Sequence, residues 1–591
     1  MKKKQMKASL LLVSLLTAGF LVTGCTNDDY DFDQIDATMG FGGGELEIPA
    51  SSTMNIPLSD ILELEENGSV KIAANGDYLF QLTGTDATTA SPQISPIHLT
   101  SRSYNHTITL GTSSAAKGTR AAGTHLSFVS PKQQMFVYNG TDAAVKSLNS
   151  AEVNGEIVLN VNLALNGLSS AITTIDKVTI NLPGYLQISS VNGNGNGVPM
   201  VNGSKITVEN VSTSRNLQLT IKAKKLDFAN QDDYGKVVID NGSITMDGYF
   251  DLGIEAHVTG VPTSALSIDA NVTVNDITLK SATGIFDPEI NITSLGDVAV
   301  TGVPDFLSED GVRADLDNPQ IILSIKNDMD AAAKVSAKVI STKNGQNLAT
   351  VQLPEMHIYK TTVTPVTKIC ICRHKTPELT AQYGAANVYE VSNLATLINQ
   401  HIPDHVQITN VEAKADLSQE MTIEFGHNYN VEPSYEVYAP LAFAEGAVIE
   451  YADDFDGWND DLDELELAEG TYLRLTADAQ NLVPATLIVE ATPLGVDGTD
   501  ISNQIEVNIK QGTVKASADG IEAATSPLEI ELREKVKGAL QKLDGLSYKV
   551  KGKASHDGTI VTGINLNSEK HTLKLENIKV KLVGKVIGNF N

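Results

Sequence analysis

Apolar side chains recur at every second residue along most of this chain, and that period restricts the class of structure it can form. Ile157, Leu159, Val161, Leu163 and Leu165 alternate with Val158, Asn160, Asn162 and Ala164; Leu217, Leu219, Ile221 and Ala223 alternate with Gln218, Thr220, Lys222 and Lys224. Successive side chains of a strand point to opposite faces, so each run buries one face and wets the other. Close to the end of the chain, Leu573, Leu575, Ile578, Val580 and Leu582 are set against Lys574, Glu576, Lys579 and Lys581 in the same way. Pairs suited to tight turns with positive φ punctuate the runs: Asn67-Gly68, Asn75-Gly76, Asn154-Gly155, Asn202-Gly203, Asn241-Gly242 and Asp557-Gly558. The expected fold is mostly β, with antiparallel β-sandwich (Ig-like) domains in series and a few short helices.

Three helices are expected. Ser59 to Glu66 suits a short one, and Ser392 to Ile402 a second, capped by Ser392 or Asn393 and stopped by Pro403. The third runs from Glu529 to Leu543, where Leu532, Val536, Leu540 and Leu543 share a helical face and Gly545 follows as a C-cap; such a stripe belongs on a sheet.

A chain of 591 residues corresponds to roughly three or four domains. With 41% hydrophobic residues it has material for real cores. The boundaries predicted from turn signals and composition are 1–24 for a signal peptide, 25–45 for an acidic and Gly-rich tether ending in Gly40 to Gly44, and 46–150 for a first β domain. That domain carries a long polar loop from Thr83 to Thr124. A β-sandwich over 151–290, an Ig-like sandwich over 291–375 and a C-terminal β-rich region over 376–591 follow. The formal charge of −29 favours solubility and repels nucleic acid, and no Lys/Arg block is interleaved with aromatics. Nucleic acid is therefore excluded as a partner.

The N-terminus indicates where such a body works. Lys2, Lys3, Lys4 and Lys7 precede an apolar run from Ala8 to Val22, the outline of a signal peptide, and the run is shorter than the about 20 residues a bilayer crossing needs. Leu21-Val22-Thr23-Gly24-Cys25 resembles the lipobox of bacterial lipoproteins, which implies that Cys25 is acylated, with chains such as palmitate, and becomes the first mature residue. Several acyl chains, at about 0.8 kcal/mol per buried CH₂, anchor a soluble body firmly. The acidic stretch Thr26-Asn27-Asp28-Asp29-Tyr30-Asp31-Phe32-Asp33 reads as a solvated tether and resembles the export tag of Bacteroidota lipoproteins. Along the body, "ITLKSATGIFDPEI" (277–290) and "GVPDFLSEDGVRADLDNPQIILSIK" (302–326) are similar to strings in uncharacterised multidomain surface lipoproteins of Bacteroidota. The resemblance implies a lipid-anchored location on the outer membrane, exposed at the cell surface, and supplies no catalytic residues.

Two constellations merit weighing as ligand sites. Cys370-Ile371-Cys372-Arg373-His374 puts two thiols and an imidazole on one strand face, as soft ligands suited to zinc. Same-face neighbours on a strand stand about 6.6 Å apart and no fourth ligand is identifiable, so two small buried residues and a rim histidine are expected instead. The segment Asp453-Asp454-Phe455-Asp456-Gly457-Trp458-Asn459-Asp460-Asp461-Leu462-Asp463-Glu464 gathers carboxylates around the only tryptophan. Its register is not that of an EF-hand, and a solvated loop with Trp458 folded back is expected. Asp454, Asp456, Trp458, Asp460 and Asp461 are nevertheless the best candidate contacts for a ligand or Ca²⁺.

Gly193 to Gly197 lacks the following helix of a phosphate loop and reads as a hairpin tip, and His401 and His405, flanking Pro403, read as surface or capping residues. No HExxH, GxSxG or GxxxxGK[ST] occurs, so no catalytic residue, metal or cofactor is assigned and an enzyme is not expected. Beyond the membrane that holds the lipid, the expected partner is an unknown protein or glycan at the cell surface; aromatics at 5% are sparse for glycan. The expected role is structural, adhesive or partner-binding; the alternative is a carrier enclosing a lipid or other apolar ligand in a β-rich pocket. Replacing Cys25 by serine removes the acylated sulfur, so Cys25→Ser should move the protein from the membrane pellet to the soluble fraction on cell fractionation and abolish palmitate labelling.

Overall fold

The computed structural model describes residues 38–49, 53–62, 64, 68–84, 94–110, 123–165, 168, 171–259, 266–290, 294–303, 312–398, 401–462 and 466–589. The expected signal peptide, Cys25 and the acidic stretch after it lie outside these residues. No described helix is long and apolar enough to cross a membrane. The described chain is mostly β, in antiparallel sheets whose one exception is the parallel pair Val366–Cys372 with Val388–Glu390.

The longest strand, Val145–Ala164, organises the largest sheet system, pairing with Leu217–Asp227, Ser267–Val274 and Ile277–Phe286. Alternation does here what the sequence predicts: Ile157, Leu159, Val161 and Leu163 are 1% exposed or less, and Leu217, Leu219, Ile221 and Ala223 oppose them from the neighbouring strand. Across the core lie Thr174–Asn181, Lys205–Ser212 and Ser243–His257, which contribute Val178, Ile180, Ile206, Val208, Leu252 and Ile254. A second core is built mainly from the strands between Gln320 and Pro440, and a smaller third lies at the C-terminal end.

Turn chemistry is mostly as expected. Asn241-Gly242 (φ 46° and 80°) and Asp557-Gly558 (φ 47° and 80°) close two-residue hairpins with both central residues left-handed. Asn154-Gly155 is different, because it lies inside Val145–Ala164, with Gly155 at φ 87° where the pairing with Leu217–Asp227 shifts register. It is a bulge that bends a long strand around its core, not a chain reversal. Gly193 to Gly197 also departs from expectation. The strand before it pairs with Leu217–Asp227 and the strand after it with Lys205–Ser212, so the glycines carry the chain between two different pairings. Asn196, 2% exposed, pins the crossing by accepting from Ser212 N (2.9 Å) and donating to Ser212 O (2.9 Å) and Arg215 O (3.0 Å).

The predicted helix from Glu529 to Leu543 is not formed. Ala524–Glu534 is a strand between Tyr472–Asn481 and Ile505–Gln511, followed by a turn at Gly538, a 3₁₀ turn at Leu540–Lys542 and the strand Leu543–Lys553. Leu528, Ile530 and Leu532 against Glu529, Glu531 and Arg533 satisfy period two, and Val536, a member of the supposed helical stripe, is 52% exposed. Ser392 to Ile402 shrinks to a 3₁₀ turn, Leu394–Leu397, which still buries Leu394 and Leu397; Ser59 to Glu66 overlaps the five-residue helix Leu58–Leu62, which starts one residue earlier.

Sheets also cross the intervals drawn from the sequence. Tyr78–Gly84 pairs with Val431–Pro440, and Met421–Glu424 pairs with Ile277–Phe286. Thr38–Pro49, which includes the Gly-rich stretch assigned to the tether, pairs with Thr572–Asn589, so pairing begins seven residues before the expected tether end. Near that junction Asn567 donates to Asn75 O (3.0 Å) and Asp77 Oδ1 (2.8 Å), while its own N–H donates to Nδ1 of His571 (3.0 Å). His571 is 2% exposed, and burial lowers its pKa from the usual histidine value. A histidine held neutral in the folded state contributes stability that is full above its unfolded pKa of about 6.5 and is lost as pH falls toward the lowered folded value. The urea midpoint should therefore drop between pH 7.5 and 5.5, and drop less in His571→Gln.

Candidate functional site

The acidic tryptophan segment sits at one end of the C-terminal sandwich. One wall is the sheet holding Tyr472–Asn481, Ala524–Glu534, Ile505–Gln511 and Thr572–Asn589; the other holds Val448–Phe455, Leu543–Lys553 and Thr486–Gly495. Asp453 and Asp454 lie within Val448–Phe455, opposite Tyr548 and Ser547, so the run begins as strand and not as loop. The chain then turns at Gly457 (φ 96°) into a single helical turn, Asn459–Leu462. Asp544 holds the turn: its carboxylate Oδ1 accepts from Gly457 N (3.2 Å) and Asn459 N (3.1 Å), and its carbonyl accepts from Trp458 N (2.7 Å). The amides at the start of this turn are thus satisfied by a side chain 85 to 87 positions away, a partner that no local pattern reveals.

Trp458 packs, half-buried, on the core that contains Leu462, Leu473, Leu532, Leu540 and Leu582. Asp454 on the strand and Asp456 on the turn are exposed; Asp460 and Asp461 belong to the helical turn, and Asp463 and Glu464 lie outside the described residues. The segment thus spreads its carboxylates over strand, turn and helix, with the tryptophan closing the end of the core. Among the described residues no group of three or more His, Cys, Asp or Glu converges as a metal cage.

Cys370 and Cys372 are fully buried on one face of Val366–Cys372, against Leu379, Tyr383 and Val388. The hydrogen bond with Cys372, and then burial, push the Cys370 thiol up and out of the reactive range. His374 turns away toward Asp317 (Nε2 to Oδ2 3.4 Å), and Arg373 reaches Asp315 (3.0 Å). The motif is therefore split between a buried thiol pair and a rim of ion pairs. His405 faces Asp297 (3.2 Å) at the surface, and His401 is exposed.

A group that sequence reading missed lies on the outer face of the C-terminal sheet. Glu531, 4% exposed, is met by Arg533 (2.9 Å), Arg474 (3.2 Å) and Lys510 (3.9 Å). The Arg533 guanidinium lies 3.5 Å over the Tyr472 ring, whose hydroxyl accepts from Arg474 (2.6 Å). Burial pushes the Glu531 carboxyl up, but hydrogen bonds from Arg533 and Arg474 and the charges of Arg533 and Lys510 outweigh it and hold the pKa below the usual range. The only trace of this in sequence is the alternation of Glu529, Glu531 and Arg533; the partners come from strands about 20 and 57 residues away.

Two concavities lie among the described residues. One, of about 380 Å³, is lined by Lys334, Ser336, Glu355, Glu412, Lys414 and Asp416; the other, of about 330 Å³, lies beside Asn75, Asp77, Tyr78 and Tyr438. Both are partly open, with linings that mix charged, polar and apolar residues. Removing the hub of the charged face leaves two guanidinium groups without their shared anion, so Glu531→Ala should lower stability by on the order of 3 kcal/mol in urea unfolding at pH 7. In the wild type the contribution of Glu531, whose folded pKa is lowered, is present above the unfolded value of about 4.3 and is lost as pH falls through the folded one.

No protein-family profile matches this chain, and no curated protein matches it. Among solved structures it is similar to a protein of Parabacteroides distasonis inferred to be secreted, with 14% identity and a TM-score of 0.36 over 52% of this chain and 90% of that one.

Proposed function

We propose that this chain is an exported lipoprotein, held at the bacterial cell surface by lipid on Cys25, with a structural, adhesive or partner-binding role and no catalysis of its own. The observation that carries the reading is the sequence Leu21-Val22-Thr23-Gly24-Cys25 behind a basic and then apolar leader, followed at once by an acidic stretch. The body behind it suits presentation of a surface. Its cores are filled by alternate strand residues, and its outward faces carry fixed charge, as around Glu531. Recognition by such a body falls to loops and sheet faces held by a rigid scaffold.

The carrier alternative asks for an apolar enclosure of several hundred Å³. The two concavities described above are partly open to solvent and carry Lys334, Glu355, Glu412 and Asp77 among their lining residues, which supports the partner-binding reading. Proteinase K added to intact cells should digest the wild-type body without permeabilisation of the outer membrane, and crosslinking on the same cells should recover a surface partner. Protection of the body until the outer membrane is opened would place it on the inner side and overturn the display part of the proposal.

A further inference from the structure

We propose that His125 and His257 form a binding site for one divalent late transition-metal ion, with Asp176 fixing which nitrogen of His257 faces the metal. His125 begins the strand His125–Val129 and His257 ends Ser243–His257; the two strands are antiparallel, and these residues are direct cross-strand partners. Direct partners project on the same side of a sheet with Cβ atoms about 5 Å apart. Both side chains are open to solvent, His257 at 51%.

The ring spacing can be tested against metal geometry. A metal–nitrogen bond of about 2.0–2.1 Å, continued about 1.1 Å to the ring centre, puts each imidazole centroid roughly 3.2 Å from the ion. Two such rings then stand about 4.5 Å apart at a 90° ligand angle and about 5.2 Å apart at a tetrahedral one. The observed separation is 4.9 Å, with the rings inclined at 58°. The centroid separation falls within the range that a shared ion requires.

A cross-strand aromatic contact alone would need nothing more, but a third group is arranged around it. In Thr174–Asn181, Ile175 pairs with Ala256 and Lys177 with Glu255, so Asp176 is the extra residue of a bulge. A bulge re-aims a side chain, and here Asp176 Oδ2 comes to 2.6 Å from Nδ1 of His257. A proton held on Nδ1 by this carboxylate leaves the Nε2 lone pair free, the arrangement by which outer carboxylates orient and strengthen metal-bound histidine. Lys177 and Glu255, the next cross-strand pair, stand 3.8 Å from each other.

Two imidazoles and no third protein ligand make an exposed site completed by water. That chemistry selects Zn²⁺, Cu²⁺ or Ni²⁺ over Mg²⁺ or Ca²⁺, which want oxygen cages. An ion there would also clip His125–Val129 to Ser243–His257 at their ends.

The test is calorimetric titration of the untagged chain with ZnCl₂, paired with electron paramagnetic resonance of the Cu²⁺ form. The expected result is one site, lost or weakened at least tenfold by His125→Ala and by His257→Ala, and weakened about tenfold by Asp176→Asn, which keeps both ligands. The copper spectrum should show two coupled nitrogens in the wild type and one in either alanine variant. Metal-free unfolding midpoints report whether the variants are folded, and His125→Gln serves if His125→Ala is not. Zinc affinity unchanged in the His125 variant, or a wild-type copper spectrum with fewer than two coupled nitrogens, overturns the proposal.

Discussion

Burial between facing sheets carries this structure. Cys370 and Cys372 are free, so among the described residues no covalent crosslink assists, and cohesion rests on strands that turn every second side chain inward. At about 1.5–3 kcal/mol for each fully buried Val, Leu or Ile, the alternate residues of Val145–Ala164 alone make it the piece around which its neighbours assemble. The bulge at Gly155 follows from that demand, since a strand of 20 residues stays on one core only if it bends.

The β class was legible because period two is a local property: Leu217 to Ala223 announces its inward face without reference to any partner. The same periodicity was overlooked in Leu528 to Arg533, where a leucine stripe continuing past the strand end imitated a helix; the exposure of Val536 is what separates the two readings. Sheet membership was not legible. The pairing of Tyr78–Gly84 with Val431–Pro440 spans some 350 residues, and no turn signal encodes a partner that far away.

Polar sites obey the same division. The acidic run around Trp458 was visible as composition, yet what shapes it is Asp544, which supplies the acceptor that the turn's own amides need. Glu531 among Arg474, Arg533 and Lys510, and Asp176 beside His257, are likewise assembled from separate strands. In a sheet protein the chemistry of a face is written across the strands, so residue types can be read in advance while their company cannot.

Pairing of Thr38–Pro49 with Thr572–Asn589 would have a mechanical consequence if the chain is fastened, as proposed, at Cys25. Twelve residues separate that cysteine from the first paired position, and the thirteen Cα-to-Cα steps across them reach no more than about 45 Å. With lipid on Cys25, as proposed, so short a leash would hold the first paired strand within about that distance of the bilayer, and drag on the body would pass to the lipid through one border strand of its sheet.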